Sequence, residues 1–502
     1  MMSHILLQII VVPAVISLFI LLTRHRIGRK AGWIAGCSLI YTTLLLIFAC
    51  VQAYNGEVIV EKYPFVGPAI TFDLLADGLS LPVALIINIL CTALAFYSIH
   101  YVEHRIEAIY GDVDERTFLN HYSRFYSLFL GFPLGFMGVC FVQNLIGMYF
   151  FLEILPLPLY FIMAMFGYVD RVRVAMICLM WAVVGASFFL AGAVIVYFKI
   201  GSFNIPDLHL LAGDPMTFWI ILLILITLLA KMAVVPLHVW MPWVHAEHPT
   251  CIAGLLAVYA NIAIYVMVRV LVIPFPEDFK AFGTVLLVLG LITMVYGSLL
   301  TMGQIDVKRF AACSTISQLA YSLLGVAAMT IYSIEGGLFF FLGHIMGKTI
   351  LFSTAGILVY TTGIRDMRQL GGLAPKMPIT AALWIMGAMM LSAFPPMASF
   401  PAEWIMFTGI FENGLQSMSM GLLVAIFAAA AIILTVAYTF RSVKIIFFGP
   451  LSPELDSDKI KDPPLSMSLP LLGIASVSII LGVCPKFAID LFHSVISGII
   501  IP

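Results

Sequence analysis

The sequence predicts an all-α polytopic membrane protein with about fourteen transmembrane helices. Three observations predict it. Of 502 residues, 62% are hydrophobic and only 10% are charged, whereas a soluble domain carries about 25% charged residues. Apolar runs of about 20 residues, long enough to cross roughly 30 Å of hydrocarbon, recur along the whole chain. The runs are continuous rather than alternating, so the backbone satisfies itself as helices and not as a closed barrel.

Taken in order, spans 1 to 14 fall at 4–23, 32–53, 79–101, 122–143, 145–167, 172–198, 216–237, 250–273, 281–301, 306–330, 334–361, 378–411, 421–445 and 466–484. The longest connections are 54–78, 102–121 and 446–465, which leaves no room for an extramembrane catalytic domain. The first span lacks an acceptable cleavage site for a signal peptide and is expected to be retained. The eight cysteines stand alone with no CxxC pair, which argues against a zinc or iron–sulfur site. Neither a dinucleotide fingerprint nor a phosphate-cradling loop is present. A net charge of −1 gives no hint of nucleic acid.

Lysine and arginine placement sets the expected orientation. With the N-terminus outside, the inner connections hold 18 of the 25 Lys and Arg residues, from Arg24 to Lys461 and including Lys459. The outer side holds four: Lys62, Lys199, Lys280 and Lys486. Three lie inside spans: Lys231, Arg269 and Lys348. Both termini are therefore expected outside.

Two spans carry internal breaks. Span 7 contains LLAKMAVVPLHVWMPW with Pro236, and span 12 contains LSAFPPMASFPAEW with Pro395 and Pro396. Proline removes a backbone donor and clashes with the preceding turn. Breaks in corresponding positions of two halves point to repeats with an ion path between them. Two units of five spans, 4–8 and 9–13, place a break in the fourth helix of each. An odd number of helices per unit makes the second unit inverted. The organisation expected is 1–121 for spans 1–3, 122–273 and 274–445 for the two repeats, and 446–502 for the last loop, span 14 and tail.

An ionisable residue at membrane depth costs on the order of 3 kcal/mol or more and marks a functional site by default. Glu153 lies near the middle of span 5 and Lys231 at depth in span 7. Their pairing would lower the cost of both, and a proton moving onto either would uncouple them. The bland alternative is a static ion pair. His344 and Lys348 lie four residues apart on span 11 and so share a face; both carry protons. Glu403 follows the second break. Lys308 opens span 10 at the inner surface, where the simple reading is an anchor for the positive-inside bias. His238, His245 and His248 match no strong metal-ligand spacing, and no metal site is expected.

Five strings now form one pattern: NLIGMYFFLEILPLPLYF (144–161), LLAKMAVVPLHVWMPWVHAEHPT (228–250), IDVKRFAACSTISQLAYSLLG (305–325), HIMGKTILFSTAG (344–356), and RDMRQLGGLAPKMP (365–378) with PAEW (401–404). With them the chain resembles the antiporter-like membrane subunits of respiratory complex I, most closely the M type. That family includes the D subunit of Mrp antiporters and large membrane subunits of archaeal membrane-bound hydrogenase and sulfane sulfur reductase. The resemblance implies two inverted five-helix repeats. It places the family's helix-5 glutamate on Glu153 and its helix-7 lysine on Lys231. The helix-11 histidine and lysine fall on His344 and Lys348, and the M-type helix-12 ionisable residue on Glu403. Leu152 stands where family members usually carry tryptophan. Asn261 stands where they carry the helix-8 lysine, leaving Asn261, Tyr259 and Lys308 as candidate relay residues.

The reading is a proton- or sodium-translocating subunit of a redox-driven, complex I-like assembly in a prokaryotic plasma membrane. The chain itself is expected to hold no cofactor. Iron–sulfur clusters or other redox centres would sit in partner subunits, namely a peripheral redox arm and further membrane subunits. Whether it counts as an enzyme depends on that complex. The alternatives are a non-conducting scaffold, favoured by the absent helix-8 lysine, and a stand-alone secondary transporter. Orientation is testable directly: single cysteines at Ser3 and Ser497 should react only with impermeant reagent added outside. Opposite labelling of the two ends would require an odd number of crossings.

Overall fold

The computed structural model describes residues 4–66, 70–417, 420–453, 455 and 460–499; Ser3 and Lys459 lie outside them. Helices fall where the apolar runs are. Spans 1 and 2 are Ile5–Ile27 and Ala31–Tyr54, joined by one short turn of 3₁₀ helix. Span 3 is Ser80–Tyr110. Span 4 is Glu115–Phe129 running on into Gly131–Phe141, and span 5 is Leu145–Ile154 running on into Pro156–Phe166. Span 6 is Arg171–Ile200. Span 8 begins at Thr250–Met267 and ends in a π-helical turn, Val268–Val272. Spans 9, 10 and 11 are Gly283–Met302, Val307–Ala327 and Ile331–Thr362. Spans 13 and 14 are Met420–Phe447 and Leu465–Val483.

Three expectations need correction. The segment 102–121, expected as a connection, is helical on both sides of a four-residue turn, because Asp114 caps Glu115–Phe129 by accepting from the Thr117 amide at 3.2 Å. Its Tyr, Phe and charged residues are amphipathic rather than apolar, which hid it from a hydropathy count. The 54–78 connection contains a hairpin, with β1 (Ile59–Val66) antiparallel to β2 (Ile70–Ala76). The tail beyond span 14 forms a further amphipathic helix, Lys486–Ile496.

Spans 7 and 12 are interrupted as the prolines require. Thr217–Lys231 stops and the chain resumes as Met241–Glu247; Pro378–Leu391 stops and resumes as Ser399–Ser417. The two breaks are built alike. Ala233 and Ala393 both take positive φ, 52° and 49°. The next amide reaches back five residues in each case, Val234 to the Leu229 carbonyl and Phe394 to the Met389 carbonyl. Span 5 and span 10 also start alike. Asn144 and Asp306 cap them by accepting from two amides each, and each forms an isolated β-bridge, Asn144 with Asn204 and Asp306 with Asp366.

Contacts between connections separate two faces. The basic face joins Arg29 to Glu103 and Glu115, Arg105 to the Phe166 and Gly167 carbonyls, and Arg365 to Asp306 and Glu247. The opposite face joins the Leu6 and Leu7 amides to Glu61 of β1, and Glu335 to His493 of the tail helix. The end of span 2 also meets the tail helix there, through Tyr54 with Phe487 and Asp490.

Spans 8, 10 and 11 are buried throughout their apolar windows, while spans 6, 13 and 14 face outward over most of theirs. Small residues let the central helices approach closely: a Cβ on Gly254 would stand 2.6 Å from the Thr349 hydroxyl. Spans 3 and 8 are tied by a buried ion pair. Arg269, in the π-helical turn, donates to Asp77 through both terminal nitrogens at 2.8 and 2.6 Å, and through Nε to the Tyr265 hydroxyl at 3.3 Å. Removing one member of such a pair strands the other charge. Asp77→Ala should cost about 3–5 kcal/mol, seen as a lower Tm of the detergent-solubilised protein. Asp77→Ala with Arg269→Leu should recover part of that loss.

Candidate functional site

The two breaks and the buried central helices bring the sequence-predicted residues into one row. Its first part is a cavity between spans 5, 6, 7 and 8, lined by Glu153, Cys178, Trp181, Lys231, Trp240 and Tyr259. Its volume of about 20 Å³ is roughly enough for one water. The expected direct pair does not form. Glu153 and Lys231 share the cavity, but Lys231 Nζ is buried without a hydrogen-bond partner and stands 3.7 Å from the centre of the Tyr259 ring. The ring's negative face takes the ammonium, leaving the carboxylate to act across the cavity. Trp240 closes the break by donating its indole N–H to the Ala230 carbonyl at 3.0 Å.

The second part is the junction of spans 8 and 11. His344 is fully buried, with Nδ1 3.0 Å from Asn261 Oδ1. Asn261 Nδ2 donates to the Ala257 carbonyl at 2.7 Å, which fixes its oxygen toward the histidine. His344 Nε2 has no partner. Asn261 thus ties span 8 to span 11 through a hydrogen bond. His344 and Lys348 share one helix face, yet they serve different neighbours. Lys348 Nζ turns to span 10, donating to the Ala311 carbonyl at 2.9 Å and the Ser314 hydroxyl at 2.5 Å.

From Ser314 the polar residues continue along span 10. Gln318 donates to the Tyr438 hydroxyl at 3.3 Å, and the Tyr321 and Thr435 hydroxyls lie 2.9 Å apart. Both tyrosines lie in the neighbourhood of Glu403. Glu403 is buried at the edge of a lateral groove of about 830 Å³ lined also by Ser392, Phe400, Trp404 and Glu412. Pro236, Pro395 and Pro396 stand in the breaks and contribute no polar group to the row.

Two findings differ from the sequence reading. Lys308, a candidate relay residue for which a surface anchor was the simpler reading, does not lie at the surface. It is fully buried, donating to the His248 carbonyl at 2.7 Å, with Nζ 3.5 Å from the centre of the Tyr168 ring. His245 was weighed only as a metal ligand and not as a member of the row. Both its ring nitrogens are buried without partners, and it lies in electrostatic reach of His248, Lys348 and Lys308. Its signal was available in WVHAEHPT: a histidine nine residues past Pro236 is carried inward by a short helix. Ser314, Gln318 and Tyr321 were equally legible, since they fall at i, i+4 and i+7 of a span that must present one face to the row.

Buried titratable groups beside two helix breaks that are built alike, set among many apolar spans, define a polytopic membrane protein with ionisable side chains at its centre. Residues 142–438, more than half the chain, match the family described as NADH:quinone oxidoreductase/Mrp antiporter, transmembrane, and the chain belongs to that family. It is 28% identical over 504 residues to NAD(P)H-quinone oxidoreductase chain 4 of Gloeobacter violaceus, covering 96% of this chain and 90% of that one. It is 30% identical over 428 residues to a chain 4 of Synechococcus sp. JA-3-3Ab, covering 82% and 78%. The fold is shared with a chain of respiratory complex I from Thermus thermophilus (TM-score 0.84, 22% identity, 98% and 99% covered). It is shared equally with one of the Mrp complex from Dietzia sp. DQ12-45-1b (0.83, 21%, 97% and 97%).

The Asn261 contact carries a stability test. Asn261→Leu should leave His344 Nδ1 unpaired and cost about 1–3 kcal/mol, read as a fall in Tm. An unchanged Tm would mean that the imidazole finds another partner.

Proposed function

We propose that the chain is a proton- or sodium-translocating, antiporter-like membrane subunit of a redox-driven, complex I-like assembly. The observation that supports this reading most is the continuity of the buried row. It runs from Glu153 and Lys231 through Tyr259, Asn261, His344 and Lys348 to the neighbourhood of Glu403. Charge moved at one station changes the field at the next, so protonation can pass through the row without any group leaving its helix. Tyr259 holds the Lys231 ammonium on one side of the cavity; rotation of that side chain toward Glu153 makes or breaks the pair. A unit pair about 4 Å apart is worth on the order of 4 kcal/mol at an effective dielectric near 20. That is large enough to hold the ions together and small enough for a conformational step to reverse.

In this reading electron transfer belongs to partner subunits. A peripheral arm carries the iron–sulfur clusters or other redox centres, and further membrane subunits flank this one. The names of the relatives, which are chains of quinone oxidoreductases and of a Na⁺/H⁺ antiporter, agree with it. The chain would sit in a prokaryotic plasma membrane with fourteen crossings, its basic face inside and both termini outside. Residues 122–273 and 274–445 would be the two inverted repeats, with 1–121 and 446–502 packed around them. A second reading, a non-conducting scaffold, is favoured by Asn261 at the position of the family's helix-8 lysine.

The experiment is coupled ion movement by the complex purified from its native membrane and sealed into vesicles. Lys348→Met should lower ion movement about tenfold or more while partner redox activity and assembly survive. Unchanged stoichiometry in that variant, or no coupled flux in the parent complex, would leave the scaffold reading in its place.

A further inference from the structure

The basic face holds a feature that the row does not use. Tyr168 lies in the turn between spans 5 and 6, partly open at the surface. Three cations crowd its ring: Lys308 Nζ at 3.5 Å, Arg105 Cζ at 3.9 Å and Arg365 Cζ at 5.5 Å from the centroid. The turn is held in place from several sides. The Tyr168 amide donates to the Glu247 carbonyl at 3.1 Å, and its hydroxyl lies 2.9 Å from that of Tyr101. Arg105 donates to the Phe166 and Gly167 carbonyls at 2.9 and 2.5 Å. Gly167 permits the close approach, since a Cβ there would stand 2.9 Å from the Glu247 carbonyl oxygen.

Behind the ring lies a route inward. Lys308 is fully buried, and the charged groups that reach it are Arg365, Glu247, Asp306 and Arg105. Glu247 also binds the turn carrying Tyr168, through its backbone carbonyl. Its side chain is 11% exposed, Oε1 lies 3.8 Å from Arg365 and Oε2 is buried without a partner. On the inner side of Lys308 stand His248 and His245, four buried ring nitrogens with no hydrogen-bond partner, and His245 in turn reaches Lys348. One carboxylate, one lysine and two imidazoles thus join the surface to the centre of the row, with a single aromatic ring over the mouth.

We propose that Glu247 and Lys308 form a proton-loading port on the basic face and that the Tyr168 ring is its stopper. Lys308 gives a proton from Nζ to an unpartnered imidazole nitrogen of the His248–His245 pair. The lone pair left on Nζ then takes a proton from a water molecule admitted when the ring lifts, and that water takes one from the Glu247 carboxyl, each O–H bond breaking as the next N–H or O–H bond forms. The carboxylate is reprotonated from the aqueous phase. While the ring lies on Nζ it occupies the space water would need, so the port passes protons only when the ring and the lysine separate. Arg105 and Arg365 keep the ring seated between turnovers.

This inference rests on the translocation reading, and the test separates the two. The complete complex is sealed into vesicles with a pH-sensitive dye inside. Passive proton leak is read without substrate and coupled uptake is read with it. Tyr168→Leu should raise the passive leak by roughly tenfold or more, the factor that losing a desolvated cation–π contact corresponds to. Tyr168→Phe, which keeps the ring, should leave the leak at the parental level. Glu247→Gln, nearly isosteric, should slow coupled uptake about tenfold or more without raising the leak, and it carries the test alone if Tyr168→Leu does not assemble. An unchanged uptake rate in Glu247→Gln, or an equal leak in the Leu and Phe variants, overturns the port. Absence of coupled uptake in the parent complex overturns the translocation reading instead.

Discussion

The cost of placing an ammonium group away from water organises the centre of this protein. Lys231, Lys308 and Lys348 are all held with Nζ buried, and each meets the cost differently. Lys231 lies on an aromatic face, Lys348 donates to a carbonyl and a hydroxyl, and Lys308 does both. None of the three is given a close carboxylate. A buried lysine locked onto a carboxylate would be stable and inert, because separating two desolvated opposite charges is expensive. Neutral partners of modest strength leave each lysine soluble in the core and still free to respond to a charge some ångströms away. The surrounding architecture follows from this. Spans 8, 10 and 11 must be shielded on all sides, the helices around them must be apolar, and the buried ion pair of Asp77 with Arg269 stands apart from the row.

The breaks supply the geometry that unbroken helices cannot. A continuous span 7 would carry the segment after Lys231 straight on, away from spans 10 and 11. By stopping at Lys231 and resuming at Met241, the chain turns a short helix inward and sets His245 beside the central lysines. The corresponding positions of the second half, Ala233 with Ala393 and Pro236 with Pro396, are each 160 residues apart. The caps and bridges of spans 5 and 10, Asn144 with Asp306 and Asn204 with Asp366, are each 162 apart. Shared spacing in backbone features, with little shared side-chain chemistry, is what two copies of one unit look like once their residues have specialised.

Much of this was legible in the residues. Continuous apolar runs gave the spans, proline gave the breaks, and intramembrane charge gave Glu153, Lys231, His344, Lys348 and Glu403. What stayed hidden was of two kinds. Amphipathic helices, such as Glu115–Phe129 and Lys486–Ile496, fall below a hydropathy threshold because half their surface meets water or polar neighbours. Partner choice was the other. Spacing puts His344 and Lys348 on one face, but only packing decides that one turns to Asn261 and the other to Ser314. The same holds for Lys231, where a carboxylate was the obvious partner by charge and an aromatic ring is the actual one by contact. For Lys308, a candidate relay residue, the position at a helix end suggested a surface anchor as the simpler reading, while the Tyr168 turn folds over it.

Full burial of spans 8, 10 and 11 also decides how the protein senses its surroundings. Lipid touches only the outer shell, so a change in bilayer thickness is absorbed by tilting of peripheral helices at fractions of a kcal/mol per ångström. The central helices are solvated by protein alone. Their dielectric environment, and with it the balance of charge along the row, is set by sequence and does not vary with the lipids a cell happens to make.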